Sequence, residues 1–319
     1  AFEDKLPNVT APTLTVVAVT GVGASSGNAT GTLNVGGVFD GGGANGLQIA
    51  TAGGSGSATG TASIGAGIVD ANTLVGGGGG DPNATGTSTG DLTVLAGGIH
   101  GGNNLSVGFA SGPGQSIGTA TVDGGISVSG TVSVGRVDDG GSGLASGDAT
   151  GTLNLANGGL AASDLRVATV DNGSGVATGT LSLGSDLSTV TNIVLGDGAA
   201  LSLLIDGFTR GTEYSAFDTT MAYLDGLLGV EFLFSPVAGM FDLIVASTAT
   251  GILGDFDAVN VSGLAPGTLY SAGTVVENGN AIYRLQIGNG RPGGGSTPGT
   301  LLCMLAGLGV LLRRRRRSP

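Results

Sequence analysis

Two pairs of carboxylates stand close enough along the chain to act as acid and base. Asp138 and Asp139 lie in VDDGGSG, and Asp255 and Asp257 lie in GDFDAVN. Paired carboxylates cleave glycosidic bonds when one holds a proton and the other does not. The composition of the first pair's surroundings marks a loop. Alternation around the second pair places both side chains on one face of a strand. Such sites usually add Lys, Arg or His in the same groove, and the body of this chain has few. The single histidine, His100, sits in the glycine-rich GGIHGGNN and is read as an exposed turn residue rather than the base of a Ser-His-Asp triad. With one His and one Cys (Cys303), no zinc set can be assembled. Asp-rich turns can bind calcium, and Gly76–Ala84 (GGGGGDPNA) carries one glycine–aspartate motif of that kind, but without tandem copies. No cofactor is therefore expected, with Ca2+ as the one weak alternative, and no enzymatic activity is assigned.

The elements that must position any site are set by an unusual composition. Of 319 residues, 67 are Gly, and 40% are hydrophobic. Glycine without a three-residue period excludes collagen, and abundant Val, Thr, Leu and Ile argue against disorder. Many short strands and turns are expected. The net charge is −12 although five of the eleven basic residues are Arg313, Arg314, Arg315, Arg316 and Arg317. The remainder is strongly acidic, which excludes phosphate-backbone binding, so no nucleic-acid partner is expected. The chain opens on Ala1 with no leader pattern, the expectation being a processed or partial chain.

A repeat of roughly thirty residues organises the first two thirds. ATGT begins at Ala29, Ala58, Ala84, Ala149 and Ala177, with the degenerate SIGT at Ser116, so the spacings are 29, 26, 32, 33 and 28. Each copy continues into an apolar alternation, such as Leu33/Val35, Leu92/Val94 or Leu153/Leu155, the third copy after a small insertion. A single apolar residue follows (Val38, Ile68, Ile99, Ile126, Leu160, Leu187), and then a second short strand. In ATGTLNV, Ala29, Gly31, Leu33 and Val35 face inward, while Thr30, Thr32 and Asn34 face outward. One such unit cannot bury its own apolar face, whereas stacked units share a core. The expected fold is all-β, a right-handed parallel β-helix (solenoid) of about six coils; an antiparallel sandwich is the rival. The outward threonines form a Thr-x-Thr ladder at 30/32, 59/61, 85/87, 150/152 and 178/180, broken at Ile117. Flat faces of this kind resemble those of ice-binding proteins, which gives a minor alternative function.

Near residue 195 the composition changes. Residues 195–287 hold ten aromatics against three before them, as suits an aromatic-rich β cap over an open solenoid end. Gly211, Tyr214, Leu224, Gly226, Leu228, Pro236, Gly239 and Phe241 follow a pattern that resembles the terminal module of bacterial autotransporter-like β-helical surface proteins. No membrane barrel follows residue 287, so self-secretion of that type is not expected. Gly288–Gly299 reads as a linker. The tail then joins Pro298-Gly299-Thr300 to Leu301–Leu312, twelve uncharged residues, and the five arginines. The order of short motif, hydrophobic run and terminal Arg cluster resembles the PEP-CTERM sorting signal of Gram-negative bacteria, with Ser296 and Thr297 standing where that family has Pro and Glu. GGGS (Gly293–Ser296) is also similar to glycine-rich sorting tails. The resemblance implies export, docking of a short hydrophobic helix in the inner membrane with the arginines on the cytoplasmic side, and cutting by an exosortase-like membrane transpeptidase near Pro298. A simple C-terminal membrane anchor remains the alternative.

These readings give five expected segments: a leading segment 1–23, β-helix repeats 24–194, a β-rich capping region 195–287, a linker 288–298, and a sorting segment 299–319. The expected function is that of an exported, non-enzymatic, adhesin-like cell-surface or matrix protein that meets extracellular polysaccharide or other cell-surface ligands. A polysaccharide-acting β-helical enzyme built on Asp255 and Asp257 is the main alternative.

Overall fold

The computed structural model describes residues 9–10, 13–15, 18–19, 27–42, 46–78, 85–138 and 145–288. Asp139, most of Gly76–Ala84, Pro298, Gly299, Thr300, the hydrophobic run and Arg313–Arg317 lie outside them. Among the described residues there are only strands and turns, and no helix is long and apolar enough to cross a membrane. The chain is a parallel β-solenoid of about eight turns.

Nine parallel strands form the front wall: Ala29–Val35, Ala58–Ile64, Ser88–Val94, Ser116–Asp123, Ala149–Asn157, Ala177–Leu183, Ala199–Ile205, Leu227–Phe232 and Ala258–Ser262. The repeated motif stacks directly, with Gly31 beside Gly60, Gly60 beside Gly90, Gly118 beside Gly151 and Gly151 beside Gly179. The third copy differs from expectation. Ser88-Thr89-Gly90-Asp91, not Ala84–Thr87, lies over Ala58–Thr61. The reason is core volume. This register sets Leu92 over Ala62 and Val94 over Ile64, all buried, whereas a four-residue slip would move both large side chains off the core positions. Thr85 and Thr87 therefore leave the ladder, and Thr89 and Asp91 take their places. Gly86 instead crosses over Gly56, whose carbonyl oxygen lies 2.0 Å from where a Cβ would sit.

The corner residue after each front strand is buried at Phe39, Ile68, Ile99, Ile126 and Leu160. Phe39, rather than Val38, pairs with Ile68. In the next coil Leu187 is exposed; Ser188 turns inward and its hydroxyl accepts the Leu160 N–H. The back wall is built from strands such as Thr73–Gly78, Leu105–Ala110, Thr131–Asp138, Leu160–Asn172 and Leu187–Leu195, again parallel and in register. One residue per coil is skipped by this ladder and adopts a left-handed conformation: Ala50 (φ 58), Gly76 (φ 66), Gly108 (φ 68), Gly135 (φ 66) and Ala168 (φ 53). The motif glycines of the front wall face this column. A Cβ on Gly151 would lie 2.2 Å from Gly135 N and 2.3 Å from Val107 O. Glycine recurs in the motif because the two backbones touch there.

The parallel stack continues through residue 195. Ala199–Ile205, Leu227–Phe232 and Ala258–Ser262 extend the front wall without the ATGT motif, using Leu201, Leu203, Leu228 and Val230 as inward residues. The capping region is thus continuous with the coils. Its antiparallel strands come at the end, where Asn280–Ile287 pairs with both Gly239–Ala246 and Tyr270–Glu277. Phe208, Tyr214, Phe232, Phe234 and Phe241 pack there with ring centroids 5.1 to 5.9 Å apart. The main core runs from Val35 to Ile287, with a small separate cluster of Ala50, Ala52 and Ala58.

Candidate functional site

Alternation along each front strand leaves a flat outer face of three side-chain files. The first is Thr30, Thr59, Thr89, Ile117, Thr150 and Thr178. The second runs Thr32, Thr61, Asp91, Thr119, Thr152, Thr180 and Ala200, and the third includes Asn34, Ser63, Thr93, Thr121, Asn154, Ser182 and Ser202. Neighbours are about 4.8 Å apart along the column and about 6.6 Å apart along a strand. Thr30, Thr32, Thr59, Thr61, Thr150 and Thr178 are exposed, and their β-branched side chains suit an outer pleat. Asp91 is the only charge among the described residues of these files, and Ile117 the only large apolar interruption before Leu227. On a chain of net charge −12 this is a nearly neutral surface.

At one end of this face the strands frame a shallow cleft of about 330 Å³, lined by Asn154, Ala156, Ser182, Ser202, Leu204 and Glu231 among others. Its hydroxyls, amide and carboxylate can donate and accept hydrogen bonds, which suits a polar, uncharged ligand.

A second cluster lies at a corner before the last front strands. The carboxylates of Asp197, Asp225 and Asp257 fall within 4.8 Å of one another. Desolvation, and then the charges of Asp225 and Asp197, push the Asp257 carboxyl above its ordinary value. Three oxygen ligands of this type could hold a hard divalent cation such as Ca2+, with water completing the shell. Sequence reasoning did not find Asp197 or Asp225. Their spacings to the next member, 28 and 32 residues, continue the repeat period beyond the last ATGT, and that was the available signal.

The structure separates Asp255 from Asp257. Asp255 and Asp257 precede the strand Ala258–Ser262 and do not share a strand face. Asp255 accepts the Tyr283 hydroxyl at 3.0 Å and the Phe256 N–H at 2.9 Å, while Asp257 joins the aspartate corner. Burial, with Asp255 alongside, raises the Tyr283 phenol well above its usual range. Asp138 is engaged by Arg136 and by Asn172 Nδ2 at 3.0 Å, within a network in which Arg136 and Arg166 both pair with Asp171 at 2.7 Å. His100 is exposed on the corner strand Ile99–His100, and no described carboxylate bonds to its ring.

The chain matches no protein-family model, no curated protein and no solved structure.

Proposed function

We propose that this chain is an exported, non-enzymatic surface or matrix protein. Its solenoid offers the neutral front face to polysaccharide or other cell-surface ligands, and its tail directs it to the envelope of a Gram-negative bacterium. The observation that carries this reading is the hydroxyl-rich face itself. In its three outward files the first six front strands expose chiefly threonine, serine and asparagine with Asp91 as the one intervening charge, on a molecule that is otherwise strongly acidic. Solenoids use such extended faces for binding because every coil repeats the same geometry. The tail supports the address: an uncharged run before five arginines fits transient membrane docking, with an exosortase-like transpeptidase as partner.

The test is cell fractionation of the native host combined with mass spectrometry of the mature C terminus. The expected result is protein outside the inner membrane, ending near Pro298. Full-length protein confined to the cytosol would overturn the proposal.

A further inference from the structure

We infer that the cleft at the end of the front face is a binding site for one strand of a neutral hexose polysaccharide, running along the column axis across successive coils. This rests on the surface-protein reading and gives it a location and a ligand class. Asn154, Ser182 and Ser202 are consecutive members of one outward file, paired in register from coil to coil. In the adjoining file Leu204 pairs with Glu231, so an apolar side chain and a carboxylate form the wall at one end. Gly184 also lines the cleft, beside Ala156. A Cβ at Gly184 would lie 2.3 Å from the Ala156 carbonyl oxygen, so no side chain can fill that place without moving the backbone.

The lining groups are also unspent. The solenoid pairs its corner amides with carboxylates one coil away: Asn157 with Asp123 at 2.7 Å, Asn172 with Asp138 at 3.0 Å, and Asn192 with Asp164 at 3.1 Å. By contrast, the side chains of Asn154, Ser182, Ser202 and Glu231 make no hydrogen bond or ion pair with any described residue. They offer donors and acceptors about 4.8 Å apart along the axis. A chain of sugar hydroxyls supplies both complements, with hydroxyls donating to the Glu231 carboxylate and the Leu204 side chain meeting an apolar sugar face. A uronic-acid polymer would place its charge against Glu231 and the acidic body, and is disfavoured.

The experiment is titration calorimetry of the full chain with neutral hexose oligosaccharides of about six units, with hexuronate oligosaccharides of equal length as the charged comparison. The neutral ligand should bind and the charged one should not. The double variant Ser182→Ala/Ser202→Ala should lose at least about tenfold in affinity, the worth of one to two hydrogen bonds. Glu231→Gln should lose less, because it keeps an acceptor. Thr274→Ala, exposed on the strand Tyr270–Glu277 and outside the front wall, should bind as the parent does. Circular dichroism confirms that each variant is folded. Binding unchanged in the Ser182/Ser202 variant, preference for the hexuronate ligand, or no binding by the parent chain would each overturn the inference. The outcomes separate from those of the surface-protein reading: an exported, processed protein that binds no neutral oligosaccharide sinks this inference alone, and a cytosolic protein that still binds in the cleft sinks the other.

Discussion

Gly118 and Gly151 show how closely the two walls approach. A methyl group on Gly118 would stand 2.2 Å from Val75 O and 2.3 Å from Gly108 N, both backbone atoms that cannot rotate away. At Gly60 the nearest atoms are farther, Ala50 N at 3.0 Å and an Ile49 methyl at 3.2 Å. The same substitution within the same motif should therefore cost very different amounts. Gly151→Ala is expected to destabilise by about 3 kcal/mol, and Gly60→Ala by about 1 kcal/mol, compared by urea denaturation. Equal midpoints would contradict the contact geometry. Asp257 makes a prediction of the opposite sign. Its carboxyl holds a proton to higher pH in the folded chain than in the unfolded one, so its favourable contribution is complete below the unfolded pKa of about 4 and is lost as pH rises through the raised folded value. At neutral pH the charge works against the fold. Asp257→Asn should raise Tm by about 1–2 °C at pH 7, with the gain shrinking as the pH approaches about 4.

Among the elements, the strand Asn280–Ile287 closes the solenoid. It is antiparallel to both of its neighbours, so the back wall ends on a hairpin instead of another coil. Tyr283 anchors it, buried with its ring centroid 5.1 Å from that of Phe256, and Arg284 ties it sideways to Asp242 at 2.5 Å and Glu277 at 2.6 Å. Tyr283→Ala should cost about 3–5 kcal/mol and expose the terminal core, read as a lower Tm with increased light scattering. This closure was only partly legible in the sequence. Several of the aromatics that follow residue 195, Phe208, Tyr214, Phe232, Phe234 and Phe241, pack against one another at this end. The boundary itself followed the ATGT motif and missed the last coils, where leucines such as Leu201 and Leu228 replace the small inward residues. The coil register was legible wherever Gly and Leu or Val kept their spacing; at the third copy the inward pair Leu92 and Val94 was legible, but the motif was placed at Ala84–Thr87 rather than at the adjoining Ser88–Asp91. The aspartate corner and the cleft were not legible as sites. Their members are ordinary residues tens of positions apart, and only the stacking brings them together.

At the scale of the whole molecule, each coil touches chiefly the coils before and after it, so stability should be close to a sum of coil and neighbour terms. Register makes this testable. Ser116 pairs with Ala149, and Ala149 pairs with Ala177, so Ala149 and Ala177 occupy equivalent positions one level apart. Deleting residues 149–176 joins Asp148 to Ala177 with every later strand kept on its own wall. Inward Leu181 and Leu183 would then meet Ala120 and Val122, residues of similar kind to the Leu153 and Leu155 that were removed. Arg136 would lose Asp171 but keep Asp138, so it retains a carboxylate partner. The shortened chain should remain β-rich by circular dichroism, melt within about 10 °C of the full chain, and shorten by about 4.8 Å in small-angle scattering. Deleting only residues 149–162 removes a front strand while keeping most of its back-wall partner, which displaces every later strand to the wrong wall and should abolish the cooperative transition. If the whole-coil deletion unfolds as completely as the half-coil one, the coils are not equivalent storeys of one column.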